Sequence, residues 1–534
     1  MKRYKKANEG IHAPEELKES AARPAGKRAY TPWMGAVAAV LAAAVIGGIA
    51  LWPGRAGGPV LDSPDPLSGE IPVGRSIDQP ETYSAHALAL AAYPEMAPYP
   101  NEDDFYAGLD ENSDKAELQK ASDAFYEAYD AWLDSRKALR SNTDYAGIMD
   151  EFLSRSAAQL LTDAGEENRI YSPLNIYMAL SMLAETAGGN SRQQILDLLQ
   201  VDSIEALRAQ AAALWRDNYR DDGATASILA NSLWLSDGMT YSQETLDTLA
   251  EHYYASSFSG QMGSEEYTQA LRDWLNEQTG GLLAEQAEGL ELDSKTVLAL
   301  ASTLYFKAAW DAEFAQENTQ TDTFHAPSGD VDTDFMHQTT LSTYYWGEHF
   351  SAVQLSFQEG GSMWLILPDE GYTVDELVES GEAMDFLLAD KYGYYNEETD
   401  EFVETWPGQK YLNINLSMPK FDVSSDVDLI DGLKALGVTD VFNPGVSNFD
   451  PLGASTADPL YVSRAQHAAR VKVDEEGCEA AAYTVMMVAL GSAMPPDDEV
   501  DFTLDRPFLF AITGGWSGLP LFVGTVNQPN GVTG

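Results

Sequence analysis

Apolar and polar positions along this chain change period several times, and each change predicts an element. From Thr31 to Gly54 no residue is charged, and Trp33 to Trp52 is almost wholly apolar, which predicts one membrane-spanning helix. Leu118, Ala121, Phe125, Ala128 and Trp132 recur at helical spacing and predict an amphipathic helix over Asp114–Leu139. A second helix is expected from about Asp144, with Tyr145, Ile148, Phe152 and Leu160 on its inner face. Further on the period falls to two. Leu412-Asn413-Ile414-Asn415-Leu416-Ser417-Met418 reads as a strand with one apolar face. Ala352–Phe357 and Met363–Leu367 flank Gln358-Glu359-Gly360-Gly361 as a hairpin, and Phe508–Ile512 and Leu519–Val526 flank another glycine-rich turn. No strand–helix unit of fixed length repeats, so a mixed α+β domain is expected rather than a doubly wound sheet.

Residues 53 to about 112 are rich in Pro, Gly, Ser and acid, which predicts an extended, poorly ordered tether. Tyr392–Pro407 reads as a surface loop. Five segments follow from this pattern: a cytoplasmic stretch over 1–30, an anchor over 31–54, a tether over 55–112, an extra helix over 113–143 and a folded domain over 144–534. Lys2, Arg3, Lys5, Lys6, Arg23, Lys27 and Arg28 precede the apolar run and orient the N-terminus toward the cytoplasm. The competing reading is a cleaved signal peptide and a secreted protein. The long basic lead, the length of the apolar run and the lack of a clear A-x-A site favour the uncleaved anchor.

Charge narrows the partners. Asp and Glu number 84 against 32 Lys and Arg, a formal balance of −52. Such a field repels phosphate backbones, so no nucleic-acid partner is expected. One cysteine, Cys478, excludes an internal disulfide and a Cys-x-x-Cys metal site, and the seven histidines show no ligand spacing. No metal and no cofactor is expected. Turnover chemistry finds no constellation either. Ser417-Met418-Pro419-Lys420 matches Ser-x-x-Lys, but that pair must sit one helical turn apart, and Pro419 in an alternating strand forbids the helix. Gly514–Gly518 lacks the Gly-x-Ser-x-Gly elbow, and Glu475-Glu476 would point to opposite sides of an extended chain.

One segment carries more information than its composition suggests. Asp474–Pro496, DEEGCEAAAYTVMMVALGSAMPP, opens acidic, passes through Gly477 into small residues, and ends in Gly491-Ser492-Ala493 and a double proline. Small uncharged residues can enter a packed sheet without steric or desolvation cost. By composition alone it is either an ordinary strand or a segment able to be both loop and strand.

The surrounding motifs decide between these. Asn168-Arg169-Ile170-Tyr171-Ser172-Pro173-Leu174 with Ala179–Leu183, Ala230-Asn231-Ser232-Leu233-Trp234, Leu304-Tyr305-Phe306-Lys307 with Trp310 and Phe314, and Met418-Pro419-Lys420-Phe421 resemble the serpin family. So do Leu436-Gly437-Val438, His467 seven residues before Asp474-Glu475-Glu476-Gly477, Arg506-Pro507-Phe508-Leu509-Phe510 and Leu521-Phe522-Val523-Gly524. They occur in that family's order over roughly residues 144–529.

The resemblance implies three β-sheets, about nine helices and an exposed reactive loop. It implies a suicide substrate: a protease cleaves the loop, forms an acyl-enzyme, and is trapped as the loop inserts into the main sheet. Glu475, Glu476, Gly477 and Cys478 match the hinge, with Ala480, Ala481 and Ala482 as the small-residue run of inhibitory members. Counting the usual sixteen residues on from Glu475 puts the scissile bond at Gly491-Ser492, with Leu490-Gly491 as the alternative. That bait suits an elastase-like or subtilisin-like serine protease, with chymotrypsin-like and cysteine proteases behind them. A trypsin-like target is disfavoured because no Arg or Lys lies between Lys472 and Arg506.

Ser172, Asn175, Ser302 and His467 match a buried polar cluster beneath the opening sheet. The family usually places serine at Asn175 and asparagine at Ser302, so the two types are exchanged here, and a compensated swap is expected. Cys478 replaces a usual Thr or Ser, either as a plain surrogate or as a thiol whose bulky adduct would block insertion. Tyr483 exceeds the preferred size. The alternative function is a non-inhibitory serpin acting as a binding module and cleaved without trapping. The anchor, tether and lack of disulfides suggest a monomer displayed outside a bacterial membrane.

Overall fold

The computed structural model describes residues 82–109, 113–141, 147, 149–162, 165–294, 296–358, 360–391, 394–396, 401–403, 405–454, 460–463, 465–478, 498–514 and 518–529. The span expected at 31–54, the first part of the tether, Tyr145, Ile148 and the segment from Ala480 to Ser492 lie outside the described residues. Among the described residues no helix is long and apolar enough to cross a membrane.

The chain divides into two compact units, 1–67 with 100–128 and 68–99 with 129–534. In the first, a short helix at Glu102–Tyr106 sets Phe105 edge-on to Phe125, with ring centroids 5.7 Å apart. Phe125 belongs to α1 (Lys115–Leu139), the helix its spacing predicts.

The second unit is built around an eight-stranded sheet. Its strands in chain order are β1 (Ala87–Ala89), β2 (Arg220–Asp221), β3 (Thr225–Ser236), β4 (Ala255–Gly260), β5 (Leu298–Ala309), β6 (Phe421–Asp428), β7 (Gln466–Val473) and β8 (Gly477–Cys478). They lie side by side as β1-β4-β3-β5-β8-β7-β6, with β2 on β3. β3 pairs antiparallel with β5 from Thr225↔Ala308 to Leu235↔Leu298. β3 is buried on both faces, which its apolar and small residues permit. Leu229, Leu233 and Leu235 face the main core, while Ala230 and Trp234 pack with Tyr267 and Trp274.

Four more helices matter below: α2 (Asp150–Leu160), α3 (Pro173–Thr186), α4 (Ile204–Asn218) and α5 (Glu265–Gln278), the last supplying Tyr267 and Trp274. α2 starts six residues later than the periodicity suggests, after Gly147 takes a left-handed φ of 78°.

Two expectations need correction. The resemblance implies three sheets; here the second and third are one nine-stranded sheet, because Gly329–Trp346 runs unbroken through both. It pairs with Gln409–Pro419 from Gln409↔Tyr345 to Pro419↔Phe335 along one edge and with Phe350–Ser356 at Tyr344–Trp346 along the other. Among the described residues ten α-helices lie between Asp150 and Ala435, near the number implied. Second, the tether does not reach 112. Tyr83 is buried, β1 extends the large sheet along β4, and Tyr93 packs on Trp215 at 5.3 Å. Averaged composition hid these spaced apolar residues among prolines and acids. Tyr392–Pro407 also carries a small hairpin, Tyr394–Asn396 on Glu401–Val403.

Candidate functional site

Strand β8 is two residues long and lies between β5 and β7. Gly477 pairs with Ala309, and Cys478 pairs with Ala308 on one side and Val473 on the other. Only glycine fits the first position: a Cβ there would lie 2.3 Å from the Ala308 carbonyl oxygen and 2.8 Å from the Ala309 Cα. Cys478 is 2% exposed and carries no disulfide. Its thiol therefore meets a reagent only when β8 leaves the sheet, which bears directly on the adduct idea.

The residues just before β8 are held by a side wall. The Trp310 backbone N–H donates to the Glu476 carbonyl at 3.0 Å, and that of Phe314 to Glu475 at 3.0 Å. The Trp310 indole N–H donates to the Asp474 carbonyl at 2.9 Å, and its ring stacks on Phe357 at 4.8 Å. Glu475 is 8% exposed, and its carboxylate accepts from Thr319 Oγ1 and pairs with Lys420 Nζ, each at 2.8 Å. Burial pushes the Glu475 carboxyl up, but Lys420 and Thr319 together outweigh it and hold the group below the usual carboxylate range. Lys420, half of the rejected Ser-x-x-Lys pattern, is thus the counter-ion of Glu475. Burial, and then the charge of Glu476, push the nearby Glu313 carboxyl up.

The second cluster lies at the start of α3. Ser172 caps the helix, its hydroxyl accepting the Asn175 N–H at 3.1 Å, with Pro173 in the first turn. The Ser172 N–H donates to His467 Nε2 of β7 at 2.9 Å. Asn175 Nδ2 donates to the Ser302 carbonyl of β5 at 2.9 Å. The Ser302 hydroxyl touches Asn175 Oδ1 and lies 2.7 Å from Asn231 Oδ1, whose amide donates to the Tyr253 carbonyl. The exchanged pair therefore shares one network. His467 is fully enclosed, and burial pulls its pKa down to about 4, so the imidazole is neutral and accepts. The first turn of α3 bridges β5 and β7, the two strands that flank β8.

The structure thus brings Glu475, Glu476, Gly477 and Cys478 together with β5 and β7, and brings Ser172, Asn175, Ser302 and His467 together beneath them. Ala480, Ala481, Ala482, Tyr483, Leu490, Gly491 and Ser492 lie outside the described residues. In the sequence Trp310, Lys420 and Asn231 stand out only as motif positions, and Thr319 not at all. Their partners stand 55 to 164 positions away, and nothing local signals the pairing.

A family model described as "Serpin (serine protease inhibitor)" matches residues 149–529. Serpin-Z2B of Triticum aestivum is 29% identical over 410 residues, covering 74% of this chain and 97% of that protein. Serpin-ZX of Hordeum vulgare is 31% identical over 380 residues, covering 68% of this chain and 90% of its own length. Neuroserpin of Mus musculus is 28% identical over 414 residues, 73% of this chain and 94% of that one. Among solved structures, the thermophilic serpin tengpin in its native state shares the fold with a TM-score of 0.62 at 24% identity, over 73% of this chain and 96% of that one. Arabidopsis AtSerpin1 in a native stressed conformation gives 0.59 at 26% identity, over 73% and 100%.

Proposed function

The chain belongs to the serpin family, and on that premise we propose that it inhibits serine proteases as a suicide substrate. A protease attacks the bond Gly491-Ser492, with Leu490-Gly491 as the alternative. Its serine oxygen bonds to the carbonyl carbon, and the new amine of the C-terminal fragment leaves. The segment following Cys478 then extends β8 into a full strand between β5 and β7. The protease, still held through its ester, is carried away before water can release it.

The observation that carries this reading is the position of β8: the hinge already occupies the first two rungs between β5 and β7. Gly477 and Cys478 are small and buried, and Ala480, Ala481 and Ala482 continue the same character in sequence. The native arrangement must then be a kinetic trap above the inserted one. The proposed targets are elastase-like or subtilisin-like enzymes, from the uncharged bait.

Residues 31–54 are proposed to anchor the protein with the serpin domain outside the membrane. Removal of that segment would give a secreted form, and a bacterial source is part of the same proposal.

The test is incubation of the protein with elastase-like, subtilisin-like and chymotrypsin-like proteases, followed by denaturing electrophoresis and mass spectrometry. The expected result is a detergent-stable complex and a released peptide beginning at Ser492 or Gly491. Cleavage by every protease with full retention of its activity would replace this reading with the non-inhibitory one.

A further inference from the structure

We propose that residues 82–99 form a strap that holds α5 down on the large sheet and so sets how readily that sheet opens between β5 and β7. The consequence for opening rests on the insertion mechanism proposed above. The strap is this chain's own addition, since the family match begins at residue 149.

α5 and the turn after it bridge the two strands that must part. Tyr267 and Trp274 of α5 pack with Trp234 of β3. Past the helix, Gly280 takes a left-handed φ of 59° and lies against β5, where a Cβ on it would stand 3.2 Å from the Tyr305 ring. Two residues on, the Leu282 carbonyl accepts from Arg470 Nη1 of β7 at 3.3 Å, and Arg470 is itself held by Asp422 of β6 at 2.7 Å. Tyr305 lies three residues from Ala308, and Arg470 three from Val473, the two partners of Cys478. A strand extending β8 therefore meets this crossing within about 10 Å of Cys478.

The strap grips α5 from the outer edge of the same sheet. Thr82 Oγ1 donates to Asp273 Oδ2 at 2.5 Å, and the Tyr83 hydroxyl donates to the Glu277 carboxylate. These carboxylates stand four residues apart and so share one face of α5. The Tyr83 ring is buried edge-on to Phe258 of β4 at 5.6 Å, and the His86 ring lies 4.9 Å from that of Tyr267. β1 then pairs with β4, the Ala91 N–H donates to Ser256 Oγ at 3.1 Å, and Tyr93 rests on Trp215 of α4. At the far end the Tyr99 N–H donates to the Asp222 carbonyl at 2.7 Å. One segment is thus bonded to the helix at its start and to the sheet and its surroundings along the rest of its length. Lifting α5 away must break both bonds to carboxylates, each of the charge-assisted kind.

The test follows hydrogen exchange in the full chain, in detergent micelles, before and after cleavage by a target protease. The pair Thr82→Val and Tyr83→Phe keeps the side-chain shapes and removes both hydroxyls. In the uncleaved chain its α5 amides should exchange at least about tenfold faster than in the parent, the size of one hydrogen bond to a charged group. Tyr83→Phe alone should give part of that rise. After cleavage, protection of residues 298–307 and 466–472 should appear about threefold sooner in the double variant, about half of the lost bonding reaching the transition state. Equal α5 exchange in parent and double variant would overturn the proposal, and so would faster exchange with an unchanged rate of protection. Cleavage that protects neither strand in the parent would instead end the insertion mechanism, while α5 exchange in the uncleaved chain still decides whether the strap holds the helix.

Discussion

Replacing Gly477 by Ala addresses β8 at its tightest point. The added methyl would stand 2.3 Å from the Ala308 oxygen and 2.8 Å from the Ala309 Cα. Both obstacles are backbone atoms of β5, which is fixed by eleven residue pairs to β3, so β8 must yield instead. Overpacking of this kind costs about 1–3 kcal/mol. Loss of the adjoining Trp310 N–H bond to Glu476 adds about 1 kcal/mol. Taking about 2 kcal/mol as the net weakening of docking, the undocked population rises roughly 30-fold. The only cysteine of the chain reads this directly, because Cys478 is buried in β8. The rate of thiol labelling under native conditions should rise by about the same factor, with the rate in denaturant unchanged. Equal native labelling rates for parent and Gly477→Ala would show that β8 does not sit against β5 as described.

Three further outcomes follow from the same geometry. Glu475→Gln keeps an acceptor for Thr319 but loses the ion pair to Lys420, whose side chain is 36% exposed and can rehydrate. The urea midpoint should drop by the equivalent of about 1–2 kcal/mol with an unchanged slope, and Cys478 labelling should accelerate. His467, with a pKa near 4 in the fold against about 6.5 unfolded, is neutral when native while the unfolded chain takes a proton. Stability should therefore fall as pH drops from about 6.5 toward 4, by up to about 3 kcal/mol; His467→Gln should flatten that slope in urea titrations at each pH. Asn175→Ser and Ser302→Asn, made singly, should each cost about 1–2 kcal/mol, and the double swap should recover at least half of the summed loss. Strict additivity would mean that the two side chains do not share a network.

Much of this architecture was legible because it depends on local pattern. The Leu412–Met418 alternation gave its strand, and Leu412, Ile414, Leu416 and Met418 are all buried. The paired glycine turns gave both hairpins, Phe350–Ser356 with Ser362–Pro368 and Phe508–Thr513 with Pro520–Val526. The stretch Asp474–Cys478 stands out through the spaced motifs around it, not through any single residue. What escaped depends on distance along the chain. Lys420 announces nothing about Glu475, and Asn231 nothing about Ser302, until the sheet sets them side by side. The docked stretch from Tyr83 to Tyr99 escaped for another reason. Its few aromatic anchors are diluted by residues that average to a tether, and they find Trp215, Trp132 and Asp222 only in three dimensions. The merged second and third sheets escaped because the resemblance, not the residue pattern, supplied the number of sheets, while Gly329–Trp346 runs as one strand of eighteen residues.

The most direct measurement of loop insertion compares hydrogen exchange in the native full chain with that of the chain cleaved by a target protease. Among the described residues, β5 and β7 meet β8 only at Ala308, Ala309 and Val473. Insertion adds ladder partners along the rest of both strands. Amides of Leu298–Lys307 and Gln466–Lys472 should slow strongly on cleavage, and the segment after Cys478 should become protected with them. Unchanged exchange in both strands after complete cleavage would contradict insertion between β5 and β7, and with it the inhibitory mechanism.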